Sequence, residues 1–259
     1  NDLYDDDGNR RKDEEGHDTY LGNQISIVKF AGDTYYRNGQ TTSTANTDEG
    51  DDTYVDDGNT YNVTQVVKKF SPTATDANVT ALKNAVNGLD AAGATAADFG
   101  MNLARLLVAT ELGEDRSEST KTVVLFTDGE PNHGNGFDST VASDAINHAK
   151  TLKGTYGATV FSIGVFDSIS GDLEKYMNYV SSNYPTATNM SQPGNPISTD
   201  PDKLVYYQNA SGADLSEIFK TVAQSSGGSG NTEVDEGSTV TVDVVASSFS
   251  LPENVTADD

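Results

Sequence analysis

Residues 121–129 constrain the fold more than any other segment of the chain. They read Lys-Thr-Val-Val-Leu-Phe-Thr-Asp-Gly, so that an unbroken apolar and β-branched run leads directly into a turn. Runs of this kind are typical of strands that are covered on both faces. The segment therefore predicts a strand of a parallel sheet that lies between two layers of helices.

Strand-like and helix-like patterns alternate along the rest of the chain. The predicted strands are 24–30, 61–67, 121–127, 158–165 and 204–207. The predicted helices are 76–89, 97–112, 139–153, 171–180 and 211–223, and Asp76 is a candidate N-cap of the first. This alternation predicts an α/β domain with a doubly wound, mostly parallel sheet and helices on both faces. Ligands of such sheets bind beyond the carboxyl ends of the strands.

Composition divides the chain into four parts. Residues 1–23 form an acidic loop region, and residues 24–224 form the α/β domain, with a polar, exposed excursion at 33–60. Residues 225–237 begin with a Gly- and Ser-rich run that is typical of a linker. Residues 238–259 start with period-two alternation, and we interpret this tail as a strand of a neighbouring β domain.

Charge and cysteine content narrow the classes of partner. The formal net charge of −24 repels phosphate backbones, which argues against nucleic acid as a partner, although an acidic surface is also a common solubility device. The chain has no cysteine, so any metal site would use oxygen ligands and hold a hard cation. No run of about 18 apolar residues is present, so no membrane insertion is predicted.

Two oxygen-bearing residues stand where ligands of such a sheet bind. Thr95 lies in the loop before the helix at 97–112, and Asp128 ends the strand at 121–127. We expect both to face the same rim of the sheet, where they could hold a divalent cation or a substrate. Taken alone, Thr-Asp-Gly is also a common turn, because Asp bonds to its own backbone and Gly accepts a positive φ.

The two loops together resemble those of von Willebrand factor type A domains, most closely the domains at the tips of Gram-positive pili and on other surface adhesins. The resemblance rests on Gly-Ala-Thr at 93–95, a helix, and Val-Val-Leu-Phe-Thr-Asp-Gly-Glu-Pro-Asn at 123–132, and its order covers residues 24–223. It implies a metal-ion-dependent adhesion site in which Thr95 and Asp128 hold Mg²⁺, Mn²⁺ or Ca²⁺. One position of the ion would stay open for a carboxylate of the partner.

The chain departs from that family in one respect. The resemblance also implies an Asp-x-Ser-x-Ser motif after a central first strand, and the motif is absent; Asp243 with Ser247 and Ser248 has the wrong spacing. Either the sequence is truncated upstream of residue 1 or the protein lacks this part. We favour truncation, because a doubly wound sheet without its central strand would leave apolar edges unpaired.

Four neighbouring residues are lesser candidates. Asp98 could accept a hydrogen bond from a ligand of the ion, although the helix dipole alone favours an acidic residue there. Glu130 and Asn132 would form the rim of the site, and His133 is interpreted as a solvated loop residue.

No nucleophile elbow, phosphate-binding loop, dinucleotide fingerprint or zinc-protease motif occurs in the sequence, so we do not expect an enzyme. The resemblance predicts an extracellular adhesion module of a bacterial surface or pilus protein. Its partners would be a host protein or glycan and other pilus or cell-wall subunits. The alternative is a structural pilus module with a vestigial metal site. An intracellular scaffold is a third, less favoured interpretation.

Overall fold

The computed structural model describes thirteen stretches of the chain. They are residues 23–31, 35–37, 40–42, 53–56, 59–73, 75–89, 94–110, 120–134, 136–166, 169, 171–210, 215–226 and 239–246. The strands within them are β1 (Gln24–Phe30), β2 (Tyr35–Arg37), β3 (Gln40–Thr42), β4 (Thr53–Asp56), β5 (Asn59–Pro72), β6 (Thr120–Thr127), β7 (Thr159–Gly164), β8 (Tyr207–Asn209) and β9 (Thr239–Ala246). The helices are α1 (Asp76–Asn87), α2 (Ala97–Thr110), α3 (Ser139–Thr155), α4 (Gly171–Val180) and α5 (Leu215–Ser226).

Seven of these strands form one sheet in the order β4-β5-β1-β9-β6-β7-β8. The five strands from β1 to β8 in that order run parallel to one another, whereas β5 is antiparallel to β1 and β4 is antiparallel to β5. Helices cover both faces, so the predicted α/β fold with a mostly parallel sheet is confirmed.

The tail differs from the sequence-based expectation. Its alternating pattern was assigned to a neighbouring β domain, but the backbone of β9 pairs in parallel with both β1 and β6 at the centre of this sheet. Gln24 to Phe30 stand opposite residues 240–246, and Thr120 to Phe126 stand opposite residues 239–245. The alternation correctly indicated a strand, but a local pattern carries no information about which sheet the strand joins.

Successive residues of a strand point to opposite faces of the sheet, and the two faces are packed differently. Val123 and Leu125 point to the face covered by α2, α3 and α4, where the buried apolar side chains form one large cluster. Val124 and Phe126 point to the other face, where they pack with α5. A third, small cluster on that second face joins β1 and β5 to α1. We name the two faces the α2–α4 face and the α1/α5 face.

The start of α1 corrects one detail of the sequence analysis. Asp76 was the candidate N-cap, but the helix is capped by Thr75, whose hydroxyl accepts a hydrogen bond from the Asn78 amide at 3.2 Å. Thr75 has extended backbone angles, as an N-cap residue requires, and Asp76 occupies the first turn, where the helix dipole favours a negative charge.

A half-buried lysine joins two helices of the α2–α4 face. The Lys153 ammonium group, near the end of α3, donates to the carbonyl oxygens of Tyr179, Val180, Ser181 and Tyr184 at 2.9–3.2 Å. These carbonyls lie at and beyond the end of α4, where a helix leaves its acceptors unsatisfied. Burial lowers the pKa of Lys153 to about 7.

The stretch predicted to be an exposed excursion at 33–60 contains β2, β3, β4 and the start of β5. The predicted strand at 61–67 is part of the longer β5, and the predicted strand at 204–207 is found at Tyr207–Asn209. The acidic loop region 1–23, apart from Asn23, lies outside the described residues. The same holds for the predicted linker 225–237, apart from residues 225–226, which are the end of α5.

Candidate functional site

The site is built at the edge of the sheet where the parallel strands end. β6 ends at Thr127, and its carbonyl oxygen accepts a hydrogen bond from the Val165 amide, just beyond β7, at 3.0 Å. Asp128 follows directly and is exposed at this edge. Thr95 precedes α2 at the same edge and is 7% exposed. The structure therefore places both predicted ligands on the expected rim.

The turn after β6 is held by the hydroxyl of Thr127. The Thr127 hydroxyl accepts from the Gly129 amide at 3.1 Å and lies 3.2 Å from the Gly129 carbonyl oxygen. These two contacts of the Thr127 hydroxyl join the end of β6 to Gly129 across Asp128. Asp128 itself is exposed at the rim.

Gly129 brings this turn against the Thr95 loop. A Cβ atom at residue 129 would overlap the Thr95 hydroxyl oxygen, so only glycine allows the approach. A backbone hydrogen bond from the Asn132 amide to the Thr95 carbonyl oxygen, at 2.9 Å, joins the two loops a second time. The reason for glycine here is close approach and not a positive φ, since the described glycines with positive φ are Gly136, Gly157 and Gly194.

The Thr95 hydroxyl does not cap α2. Among the described residues it makes no hydrogen bond, although the Thr95 carbonyl oxygen accepts from both Ala97 and Asn132. The alternative interpretation of a threonine in this position, a helix cap, would require the hydroxyl to accept from an amide of the first turn. The hydroxyl is therefore available to an ion or to water at the rim.

Asp98 and His133 form a contact that the sequence analysis did not predict. His133 Nε2 lies 3.0 Å from each carboxylate oxygen of Asp98, and the two residues are 35 positions apart. The imidazole also packs on Phe99, with ring centroids 4.6 Å apart. His133 was interpreted as a solvated loop residue, and it does lie in a loop with a side chain that is 42% exposed. What the interpretation missed is the contact of the imidazole with Asp98, whose side chain is 8% exposed.

The electrostatic surroundings favour the charged form of the His133 imidazole. The hydrogen bond to Asp98 raises the pKa of His133 above its usual value, and burial opposes this rise. The negative charges of Asp98, Asp138 and Asp144 act in the same direction as the hydrogen bond. The pair is therefore an ion pair over a wider pH range than a free histidine would allow.

Asn132 and Glu130 are the other two residues predicted at the rim. The Asn132 side chain braces its own loop: its amide group donates to the Glu130 carbonyl oxygen at 2.7 Å, and its oxygen accepts from the Gly134 amide at 3.0 Å. Both ends of the Asn132 side chain are thus used within the loop. Glu130 is half-buried beside them.

The donor set present at the rim fits a hard cation in part. A threonine hydroxyl and an aspartate carboxylate are the oxygen ligands that Mg²⁺ and Mn²⁺ accept, and Mg²⁺ usually retains several waters. Within the described ranges, no three histidine, aspartate or glutamate side chains converge as a ready-made metal cluster. The central strand, β9, ends at Ala246, so within the described residues it brings no aspartate to this edge.

One signal in the sequence could have pointed to the Asp98 and His133 pair. Asp98 lies in the first turn of a helix whose other residues at that level are apolar, so a buried carboxylate in need of a partner was foreseeable. Its partner was not foreseeable, because nothing local connects position 98 to position 133.

The comparisons with known proteins identify the family. The family model described as von Willebrand factor type A domain matches residues 58–221. No curated protein and no solved structure matches the chain. Within the described residues, no helix is both long and apolar enough to span a membrane.

Proposed function

The chain belongs to the von Willebrand factor type A domain family, whose members generally mediate adhesion or protein interaction, and from this membership we propose that it is a metal-ion-dependent adhesion module. It acts on a bacterial surface or pilus and binds an extracellular host partner through a divalent cation. Its chemistry is binding and not catalysis. Other pilus or cell-wall subunits are the neighbours that such a module would have.

One observation carries this proposal: a threonine hydroxyl with no hydrogen bond among the described residues lies against the turn that presents Asp128. Gly129 makes the contact possible, and the hydrogen bond between Asn132 and Thr95 fixes it. Two oxygen ligands from different loops at the carboxyl end of a parallel sheet supply part of the coordination shell of a hard cation, and water and the partner would supply the rest. Thr95 and Asp128 would hold the ion, and the bound ion would supply a positive charge to which a carboxylate of the partner binds.

The composition supports a role in cation binding. The chain has no cysteine and a net charge of −24, so it presents an acidic surface to solvent. An excess of negative charge also raises the local concentration of cations around the protein.

Calorimetric titration with Mn²⁺ tests the proposal. Asp128→Ala should abolish Mn²⁺ binding while changing the free energy of unfolding by about 0.5 kcal/mol or less, because the residue is exposed and the turn is held by Thr127. Asp76→Ala, which removes an exposed carboxylate at the opposite edge of the sheet, is the matched control and should bind Mn²⁺ as the unmodified protein does. Equal Mn²⁺ affinity of the unmodified protein and Asp128→Ala would contradict the proposal.

Thr95 variants sharpen the same test. Thr95→Ser retains the hydroxyl and should bind Mn²⁺, whereas Thr95→Ala should bind it more weakly. If Thr95 were only a helix cap, Thr95→Ala would cost about 1 kcal/mol of stability and would leave Mn²⁺ affinity unchanged.

A structural module with a vestigial metal site is the second candidate function. The observation that favours it concerns β9, the central strand. Its described part ends at Ala246 and brings no aspartate to the rim. A module of this kind would bind no Mn²⁺ in the unmodified protein, so the same titration separates the two functions.

A further inference from the structure

The helix dipole alone does not explain the contact between Asp98 and His133. An acidic residue in the first turn of a helix is stabilised by the dipole even when it is solvated. Asp98 is instead buried, with a side chain that is 8% exposed, and both of its oxygens lie 3.0 Å from one imidazole nitrogen. A buried carboxylate with a single cationic partner strongly constrains the position of that partner.

This contact joins the same two segments that carry the proposed metal ligands. Asp98 lies three residues after Thr95, and His133 lies five residues after Asp128. Between the two segments the structure has a backbone hydrogen bond from Asn132 to Thr95, the close approach of Gly129, and the contacts of the imidazole with Asp98 and Phe99. The imidazole provides the side-chain part of this junction.

Several charged and titratable groups surround the pair. Asp138 precedes α3 and Asp144 lies within it, and both favour the cationic imidazole. Tyr176 of α4 is fully buried, and burial together with the charge of Asp98 raises its pKa. Tyr176 therefore stays neutral. Among the described residues, the His133 imidazole is the cationic group that the structure pairs with Asp98.

We propose that Asp98 and His133 form a latch that positions the Asp128 turn against the Thr95 loop and thereby sets the affinity of the rim for a divalent cation. Neither residue is a ligand of the ion in this proposal, which rests on the proposed metal-dependent function. Residues that orient metal ligands typically change metal affinity about 10–100-fold when they are replaced.

The experiment compares the full chain with three variants and uses two readouts. His133→Ala removes the latch, His133→Gln retains a side-chain donor, and His148→Ala is the matched control, since it removes a histidine on α3 outside the pair. The first readout is hydrogen exchange of the Asn132 amide, which reports the loop junction without any metal. The second is the dissociation constant for Mn²⁺ alone.

We expect His133→Ala to lower the exchange protection of the Asn132 amide about tenfold or more and to weaken Mn²⁺ binding about 10–100-fold. His133→Gln should lie between His133→Ala and the unmodified protein in both readouts, and His148→Ala should match the unmodified protein. If the Asn132 protection is unchanged in His133→Ala, the latch does not exist.

Lower protection with unchanged Mn²⁺ affinity would show that the pair only stabilises the loop, and this result also overturns the positioning role. An unmodified protein that binds no Mn²⁺ would refute the metal-dependent function, and the positioning role with it. The exchange readout would still decide separately whether the junction depends on His133. Failure of the latch and failure of the proposed function thus give different results.

Discussion

The α2–α4 face and the α1/α5 face are built by alternate residues of the same strands, yet they differ in how their described side chains pack. On the α2–α4 face, three helices and the strands share one cluster of buried apolar residues. On the α1/α5 face, the described apolar side chains form two smaller clusters, one with α1 and one with α5. The difference shows that a sheet with an even alternation of apolar residues need not be supported equally on its two faces.

The candidate site lies at the end of the more extensively packed face. Thr95 and Asp98 lie at the start of α2, and α2 packs on β1 and α3. Sites held by rigid elements keep their ligands in a fixed geometry better than sites on isolated loops. The packing of the α2–α4 face therefore supports the rim that we propose binds the ion.

The largest expected effect is a difference between core truncations on the two faces. Ile146 of α3 is 0% exposed within the large cluster, whereas Leu82 of α1 is 7% exposed in the cluster that contains Ile27 and Val67. Truncation of a buried aliphatic side chain to alanine costs about 2–5 kcal/mol, and the cost is larger where the surroundings cannot collapse. Ile146→Ala should fall in the upper part of this range and Leu82→Ala in the lower part.

Urea unfolding of both variants measures this difference, provided that the dependence of the free energy of unfolding on urea is unchanged. An equal or larger loss for Leu82→Ala would mean that the α1/α5 face is supported as well as the other. The proposed contrast between the faces would then be wrong.

The next effect concerns the distance between α2 and the sheet. A Cβ atom at Gly100 would lie 2.8 Å from Cβ and Cγ of Phe30. Because Gly100 has no side chain, α2 lies closer to β1 than it could with any other residue at this position. Gly100→Ala should destabilise the protein by about 1–3 kcal/mol, as overpacking usually does. Gly154→Ala is the control, because Gly154 lies within α3 with no atom within 4 Å of its added Cβ.

At Gly154 the substitution should stabilise the protein by about 0.5–1 kcal/mol, since alanine favours the helix over glycine. Thermal unfolding of the two variants should therefore shift in opposite directions. A neutral Gly100→Ala would show that α2 can move away from β1, and that the α2–α4 face is less rigid than its packing indicates.

Local sequence patterns predicted most of the fold because burial leaves a periodic trace. Strand β1 and helix α4 were predicted with the bounds that the structure has, and β6 and α3 to within two residues. What local patterns could not supply was pairing between distant segments. The tail was identified as a strand, but its position between β1 and β6 depends on contacts more than 100 residues away.

The candidate site likewise has features that the sequence predicted and features that it did not. The rule that ligands lie beyond the carboxyl ends of parallel strands predicted that Thr95 and Asp128 share a rim. It could not show that Gly129 is required for close approach to Thr95, or that Asn132 uses its side chain to brace its own loop. Those features depend on the distances between loops, which the sequence does not encode locally.

The smallest expected effect is a pH dependence of stability at the rim of the α2–α4 face. The pKa of His133 is raised in the folded protein by its hydrogen bond to Asp98, whereas a histidine in the unfolded chain has a pKa of about 6.5. The folded state therefore binds the proton more tightly than the unfolded state. The resulting stabilisation is fully present below about pH 6.5 and is lost as the pH rises through the folded pKa.

The measurement is the difference in the free energy of unfolding between the unmodified protein and His133→Ala, taken from about pH 5.5 to 8.5. The pH-dependent part of the difference should be about 0.5–1 kcal/mol, because solvent screens a side chain that is 42% exposed. Lys153 titrates in the same range, with a pKa lowered to about 7, and it makes both proteins more stable as the pH rises. Because Lys153 is present in both proteins, its contribution cancels in the difference. A difference that stays constant over this range, or grows with pH, would show that the charged imidazole does not stabilise the rim.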